Sequence, residues 1–309
     1  MKITIIGAGA MGCLFGGILS EQGQDVCLLD IREEQIKALN KQGLIIRSQN
    51  EERKIKVHAV SNPSLISKTD LAIIFVKHAQ TEVAAQTAAR LLNDKGYVLT
   101  LQNGMGNAEI IAKVVGKDQV LCGTTAQGAM ILGLGKIQHS GQGETIIGAW
   151  QPHKNVTPSL ATQVADIFTR AGISCQAVGN IEPVLWKKLC VNVGINAITA
   201  LTGLRNGQLL DQEATRLLMR DLVAEAISVA QAHSVAIPSG IMEHVEQVAQ
   251  ATASNRSSMG QDVDEQRPTE IDAINGYVLR KAKEAGIAAP INQTIVRLIQ
   301  TLQAHYSNL

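Results

Sequence analysis

Two kinds of hydrophobic patterning divide the chain. Over 1–180, short apolar runs rich in Val, Ile and Leu alternate with stretches whose apolar residues recur at three and four. The runs Lys2–Ile6, Asp25–Asp30, Leu71–Lys77, Tyr97–Gln102 and Val120–Thr124 read as strands covered on both faces, as parallel strands are. Met11–Gln22, Arg32–Gln42, Thr81–Leu92 and Asn107–Val115 read as the helices between them. That rhythm predicts a doubly wound α/β sheet. After Thr124, Gly128, Gly133, Gly135, Gly141, Gly143 and Gly148 punctuate short pieces at Lys136–His139 and Thr145–Gly148. These predict antiparallel hairpins added to the same sheet. A helix over Ser159–Ala171 and a strand over Ser174–Val178 complete this half. Over 181–309 strand signals vanish, which predicts an all-α C-terminal domain.

The first strand runs into Gly7-Ala8-Gly9-Ala10-Met11-Gly12, a GxGxxG motif that opens a helix. Gly7 suits a tight turn, Gly9 a close backbone approach to a pyrophosphate, and Gly12 close helix–strand packing. The helix start, Met11 included, offers N–H groups and a positive dipole end to phosphates. The motif's place, strand before and helix after, makes the N-terminal domain Rossmann-type. Asp30 ends the second strand, where an acid hydrogen-bonds the ribose 2′-hydroxyl of NAD. Arg32 follows and could instead receive the 2′-phosphate of NADP. The two signals conflict, and both NAD(H) and NADP(H) stay open.

Charge and composition exclude other classes. With 28 Lys and Arg against 27 Asp and Glu, the formal net charge is +1, and only three Phe, three Tyr and two Trp are present. Neither a basic footprint nor stacking platforms for nucleic acid are available. The five cysteines, Cys13, Cys27, Cys122, Cys175 and Cys190, are odd in number and lack CxxC spacing. They read as reduced structural thiols, and no histidine spacing suggests a metal site. The apolar run at the N-terminus stops at Gly7, and no stretch approaches the ~20 apolar residues of a membrane span. A cytoplasmic protein is expected, whose helical domain could support a homodimer.

Ligands of doubly wound sheets sit at the C-terminal ends of strands. Lys77 and Asn103 stand there, each where an apolar run gives way to a turn. In the C-terminal domain Lys188, Asn192 and Asn196 lie at i, i+4 and i+8 of a helix, one above another. Leu185, Leu189, Val193 and Ala197 form the apolar stripe beside them, whereas Lys187 lies on a solvated face. Polar residues stacked against a core need partners, and a bound substrate can be one. Hydride transfer to a ketone leaves negative charge on oxygen, and a lysine of lowered pKa can protonate it. Lys188 is the candidate acid, with Asn192 and Asn196 to hydrogen-bond hydroxyls or orient the amine. Pro268 suits a first helical turn, which would place Glu270 near a helix N-terminus, where it could simply complement the dipole.

Taken together these motifs resemble the ketopantoate reductase (2-dehydropantoate 2-reductase) family over nearly the whole chain. The likeness rests on Gly7-x-Gly9-x-x-Gly12, Val76-Lys77, Gln102-Asn103-Gly104-Met105-Gly106 and Gly123-Thr124-Thr125. It continues through Trp186-x-Lys188-Leu189-x-x-Asn192-x-x-x-Asn196-x-x-Thr199, Asn206-Gly207, Ser257-Ser258-Met259 and Thr269-Glu270-Ile271-Asp272-x-Ile274-Asn275-Gly276. The resemblance implies reduction of ketopantoate to pantoate by NADPH, toward pantothenate and coenzyme A. It implies Lys188 as general acid and Glu270 as the carboxylate that helps hold the substrate and the lysine. Asn103, Asn192, Asn196 and Ser258 match substrate-contacting positions, and Lys77 a lysine near the cofactor. One departure is visible: Ile31 stands where the family commonly has an arginine, with Arg32 one residue further on. Two other readings remain: a reductase of another branched 2-oxo acid, and a non-catalytic dinucleotide-binding sensor.

Overall fold

The computed structural model describes residues 1–49, 51–150 and 158–306. The chain forms two compact units: Met1–Gln102 with Asn107–Ile181, and Asn103–Gly106 with Glu182–Leu309. The first unit runs β1 (Lys2–Ile6), α1 (Ala10–Glu21), β2 (Asp25–Leu29), α2 (Glu33–Gln42), β3 (Leu44–Arg47), β4 (Glu52–Ile55) and β5 (His58–Val60). It continues with β6 (Thr69–Ile74), α3 (Thr81–Leu91), β7 (Leu92–Thr100), α4 (Asn107–Val115), β8 (Val120–Thr125), β9 (Gly128–Gly133), β10 (Lys136–Gly141), β11 (Thr145–Ala149), α5 (Pro158–Arg170) and β12 (Cys175–Ala177).

Eight strands form the main sheet in the order β12-β11-β8-β7-β6-β1-β2-β5. Neighbours are parallel except β11 and β8. The register aligns Ile6 with Leu29 and with Ile74, and Ile74 with Thr100. Four C-terminal strand ends therefore lie level, and the chain leaves them toward Gly7, Asp30, Lys77 and Asn103. Ile3, Ile5, Leu28, Leu71, Ile73 and Leu99 are buried in this sheet, as apolar runs covered by helices require. Phe15 of α1 anchors one face, with ring centroids 5.1 Å from Phe75 and 5.5 Å from Phe168.

The glycine-rich region differs from the sequence expectation. β11 does join the main sheet, but the β9–β10 hairpin does not: it pairs through β10 with β3, in a second sheet of order β4-β3-β10-β9. β3, β4 and β5 escape the reading because they are only three or four residues long, and β3 and β4 carry charges (Arg47; Glu52-Arg53-Lys54) that interrupt any apolar run.

The second unit is helical: α6 (Glu182–Thr202), α7 (Glu213–Ala232), α8 (Ile241–Ala251), α9 (Ser258–Asp264), a 3₁₀ turn at Ile271–Ala273, α10 (Asn275–Ala285) and α11 (Pro290–Ala304). α6 is the central helix, packed by α7, α8, α9 and α11. At Gly194 an added Cβ would lie 2.8 Å from a Val223 methyl, so glycine lets α7 approach closely. α6 alone among the described helices is long and apolar enough by length and composition to cross a membrane, though Lys187, Lys188, Asn192 and Asn196 interrupt its apolar residues; most of it is buried inside the protein, as a core helix is. Glu225 of α7 caps α11, its two oxygens each 2.9 Å from the Ile291 and Asn292 N–H donors. The expected helix start at Pro268 is absent: Pro268 lies outside any helix or strand, ahead of the 3₁₀ turn.

Candidate active site

The glycine motif turns directly off β1. Gly7 takes φ +103°, a left-handed conformation that favours glycine. A Cβ at Gly12 would fall 1.8 Å from the Gly7 carbonyl oxygen, whereas one at Gly9 would meet nothing within 4 Å. Gly12 is thus held by packing, and Gly9 faces open space at the start of α1. Met11 is half-buried in the first turn. This is a cradle a pyrophosphate fits: backbone donors at a helix start with room in front of them.

Asp30 and Arg32 do not compete; they pair. Arg32 Nε and Nη2 each lie 3.0 Å from a different oxygen of the Asp30 carboxylate. The Ala8 N–H adds a 2.8 Å hydrogen bond and the Arg32 N–H one of 3.0 Å. Burial works to raise the Asp30 pKa, but these bonds and the guanidinium charge outweigh it and hold the carboxyl below its usual value. Asp30 is buried, while the Arg32 side chain is 49% exposed. Ile31 points to solvent.

Lys77 and Asn103 each follow the last strand residue by three positions, at the ends of β6 and β7, with Lys77 exposed and Asn103 half-buried. A polar network missed in the sequence fixes the turns between them. Gln102 Nε2 donates to the Val76 carbonyl at 2.7 Å and to Thr81 Oγ1 at 2.9 Å, and its Oε1 accepts from Thr100 Oγ1 at 2.9 Å. Thr81 Oγ1 donates to Asn107 Oδ1 at 3.0 Å, which also meets His78 Nδ1 at 2.7 Å. The available signal was polar residues at both strand ends and both following helix starts.

Asn103 belongs to the helical unit. The Met105 N–H donates to the Ala273 carbonyl at 2.7 Å, and Gly104, at φ +74°, lies against Ala273. Asn103 and Glu270 are thereby tied to one short stretch, since Glu270 caps the 3₁₀ turn that contains Ala273.

On α6 the stripe Leu185, Leu189, Val193 and Ala197 is buried, and Lys188, Asn192 and Asn196 border it. Lys188 keeps some accessible surface, but its amine is enclosed by protein. Burial pushes it down from the ordinary 10.5 to about 8, against the charge of Glu270, which raises it. Glu270 is itself 9% exposed. Asn192 Nδ2 is buried without a protein partner. Asn196 is buried, and its carbonyl accepts from Thr199 Oγ1 at 2.9 Å. Lys187 is half-buried rather than fully solvated, and its charge acts on His244 of α8.

Ser258 opens α9 and is exposed. Its neighbour Ser257 does the structural work: its Oγ accepts from the Gly260 N–H at 2.9 Å as N-cap and from Thr199 Oγ1 at 2.7 Å, tying α9 to α6. Among the described residues no cluster of His, Cys, Asp or Glu is placed to hold a metal, and Cys13, Cys27, Cys175 and Cys190 are free thiols. The arrangement offers a pyrophosphate cradle in one unit and, in the other, an amine able to give up a proton near neutral pH beside buried amides.

Comparison with known proteins agrees with this chemistry. The family model "Ketopantoate reductase PanE/ApbA" matches residues 3–152, and "Ketopantoate reductase PanE/ApbA C terminal" matches residues 180–303. A 2-dehydropantoate 2-reductase of Halobacterium salinarum is 34% identical, covering 98% of this chain and 99% of its own. The crystal structure of a PanE/ApbA family ketopantoate reductase from Ralstonia eutropha superposes with TM-score 0.90 at 31% identity, covering 99% of this chain and 100% of that one. A D-mandelate dehydrogenase, solved with NADH and anilino(oxo)acetate, superposes with TM-score 0.93 at 28% identity, covering 99% and 100%. With its dinucleotide cradle, its lysine-bearing core helix and these relatives along its whole length, the chain belongs to the ketopantoate reductase family.

Proposed function

We propose that this protein reduces 2-dehydropantoate to pantoate with NADPH, supplying pantoate toward pantothenate and coenzyme A. The observation that carries the reading is Lys188, whose enclosed amine is pushed down to about 8 by burial, against the opposing charge of the Glu270 carboxylate. In this reading 1–180 holds the dinucleotide and 181–309 the 2-oxo acid.

When bound, the reduced nicotinamide supplies the hydride that reaches the substrate's C2 carbonyl carbon. Lys188 gives its proton to the carbonyl oxygen as negative charge develops there. Glu270 keeps the lysine charged before transfer and accepts a hydrogen bond from a substrate hydroxyl. Asn192, with an amide N–H₂ that no protein group satisfies, donates to the substrate, and Asn103, Asn196 and Ser258 complete the contacts. Gly7, Gly9, Met11 and Gly12 hold the pyrophosphate, and Lys77 and Asn103 the nicotinamide half.

The phosphate preference follows from the Asp30–Arg32 pair. Both carboxylate oxygens of Asp30 are engaged by Arg32, which cancels the charge that would repel a 2′-phosphate and holds a half-exposed guanidinium at the end of β2. Initial rates of NADPH and of NADH oxidation with ketopantoate test both parts. Turnover with NADPH well above NADH is the expected result, and NADH preference would reverse the cofactor assignment. The resemblance to a D-mandelate dehydrogenase favours one second reading, a reductase of a different 2-oxo acid. Turnover of 2-ketoisovalerate or an aryl 2-oxo acid, with ketopantoate inert, would select it.

A further inference from the structure

We infer that Gln35, with no place in the motif or the reaction, is a positioning residue that aims the Gly9 N–H at the dinucleotide pyrophosphate. The inference rests on the dinucleotide reading above.

Gln35 sits on the first turn of α2 and is buried, 4% exposed. Its Nε2 donates to the Ala8 carbonyl at 3.1 Å, and its Oε1 accepts from the Gly135 N–H at 3.0 Å. The two partners fix the amide's orientation, since only the nitrogen can face a carbonyl and only the oxygen an N–H. Gly135 is the turn between β9 and β10, so the glutamine is braced on the second sheet. Two further donors reach the same Ala8 oxygen: Cys13 Sγ at 3.3 Å and Arg32 Nη2 at 3.3 Å. On the other side of the residue, the Ala8 N–H is held by Asp30 at 2.8 Å. Ala8 is fully buried.

Peptide geometry turns this into a statement about Gly9. The Ala8–Gly9 bond is trans, so its C=O and N–H point in opposite directions from one rigid plane. Three donors pull the carbonyl inward, and the Gly9 N–H is therefore turned outward. Gly9 also lacks the Cβ that would stand beside it, and no atom lies within 4 Å of where that Cβ would be. An outward N–H with open space in front, one residue ahead of α1, is a donor prepared for an anion. Without the clamp the plane can rotate at Gly9, because glycine's φ and ψ are the least restricted of any residue type.

The test separates orientation from general stability. Gln35→Met keeps length and volume and loses the hydrogen bonds to Ala8 and Gly135, together with a 3.5 Å contact from Nε2 to Cys13 Sγ. Gln42→Met is the control, because Gln42 Nε2 holds the same turn through the Leu134 carbonyl at 2.9 Å without touching the glycine loop. Affinities are measured by calorimetry for ADP-ribose, which carries a pyrophosphate, and for adenosine, which does not. Gln35→Met should weaken ADP-ribose roughly three- to tenfold, the loss expected for one hydrogen bond, and leave adenosine unchanged. Gln42→Met should change neither. Equal weakening of both ligands, or the same effect from Gln42→Met, would overturn the inference, as would unchanged ADP-ribose binding. A second measurement uses the wild-type protein with ¹⁵N-glycine: the Gly9 amide proton should shift downfield on titration with ADP-ribose and stay in place with adenosine. A Gly9 resonance indifferent to ADP-ribose overturns the aim of the N–H. Wild type that binds no ADP-ribose at all would instead remove the dinucleotide reading and this inference with it.

Discussion

Glu270 acts on Lys188 by charge, and it acts against the burial that lowers that amine. The balance leaves the lysine near 8, so it is mostly protonated at neutral pH and still a competent donor. Reduction requires the protonated form. The rate should therefore be level at lower pH and fall tenfold per unit above about 8. Glu270→Gln removes the opposing charge, so this limb should move to lower pH. A pH–kcat profile of both proteins checks it; an unmoved limb would dissociate Glu270 from the titration.

Removing the acid is a separate measurement. General acid catalysis contributes ~10²–10⁴-fold, and Lys188→Ala should lose turnover in that range while still binding NADPH. A loss smaller than about tenfold would take the acid role from Lys188.

The same buried amine predicts a gain in stability. A lysine with a depressed folded pKa costs stability wherever it is charged in the unfolded state, because folding must then either bury the charge or strip the proton. That cost is fully present below about 8 and is relieved as pH rises toward the ordinary 10.5. Lys188→Met should accordingly raise Tm at neutral pH, with the gain shrinking across that window. Thermal melts at several pH values decide it, and a lower Tm at neutral pH would mean Lys188 contributes more packing than penalty.

Arg32 carries the cofactor prediction. Hydrogen bonds to charged groups contribute about 1.5–3 kcal/mol, so Arg32→Ala should lower kcat/KM for NADPH roughly ten- to a hundredfold. The loss with NADH should be smaller, because the freed Asp30 carboxylate can then meet a 2′-hydroxyl. Equal losses with both cofactors would make Arg32 a structural brace only.

Much of this was legible in the chain, and the limits have physical causes. The parallel strands were readable because burial on both faces leaves nearly unbroken apolar runs, as in Leu71–Ile74. The second sheet was not, because β3 and β4 mix charges into short segments, and the strand that joins β3 to the rest of that sheet, β10, lies some ninety residues away. The polar row on α6 followed from helical spacing alone. The pairing of Asp30 with Arg32 did not: sequence presents two rival ligands, and only side-chain geometry shows one neutralising the other. Gln35 carried no signal, since a glutamine in a first helical turn is ordinary until its partners at Ala8 and Gly135 are seen.

The glycines of the motif divide by mechanism, and two substitutions separate them. Gly12→Ala places a methyl 1.8 Å from the Gly7 carbonyl oxygen, a backbone atom that cannot swing aside. The helix must shift off the strand, and overpacking of this kind costs typically ~1–3 kcal/mol or more. Gly12→Ala should therefore lower Tm and weaken the dinucleotide together. Gly9→Ala adds a methyl where nothing lies within 4 Å, so the folded chain has room for it and Tm should hold. The space it fills is the approach to the Gly9 N–H, and there the cost should appear as a higher KM for NADPH with kcat little changed. Should Gly9→Ala bind NADPH as well as wild type, the pyrophosphate does not approach at Gly9, and the cradle has been placed one residue wrong.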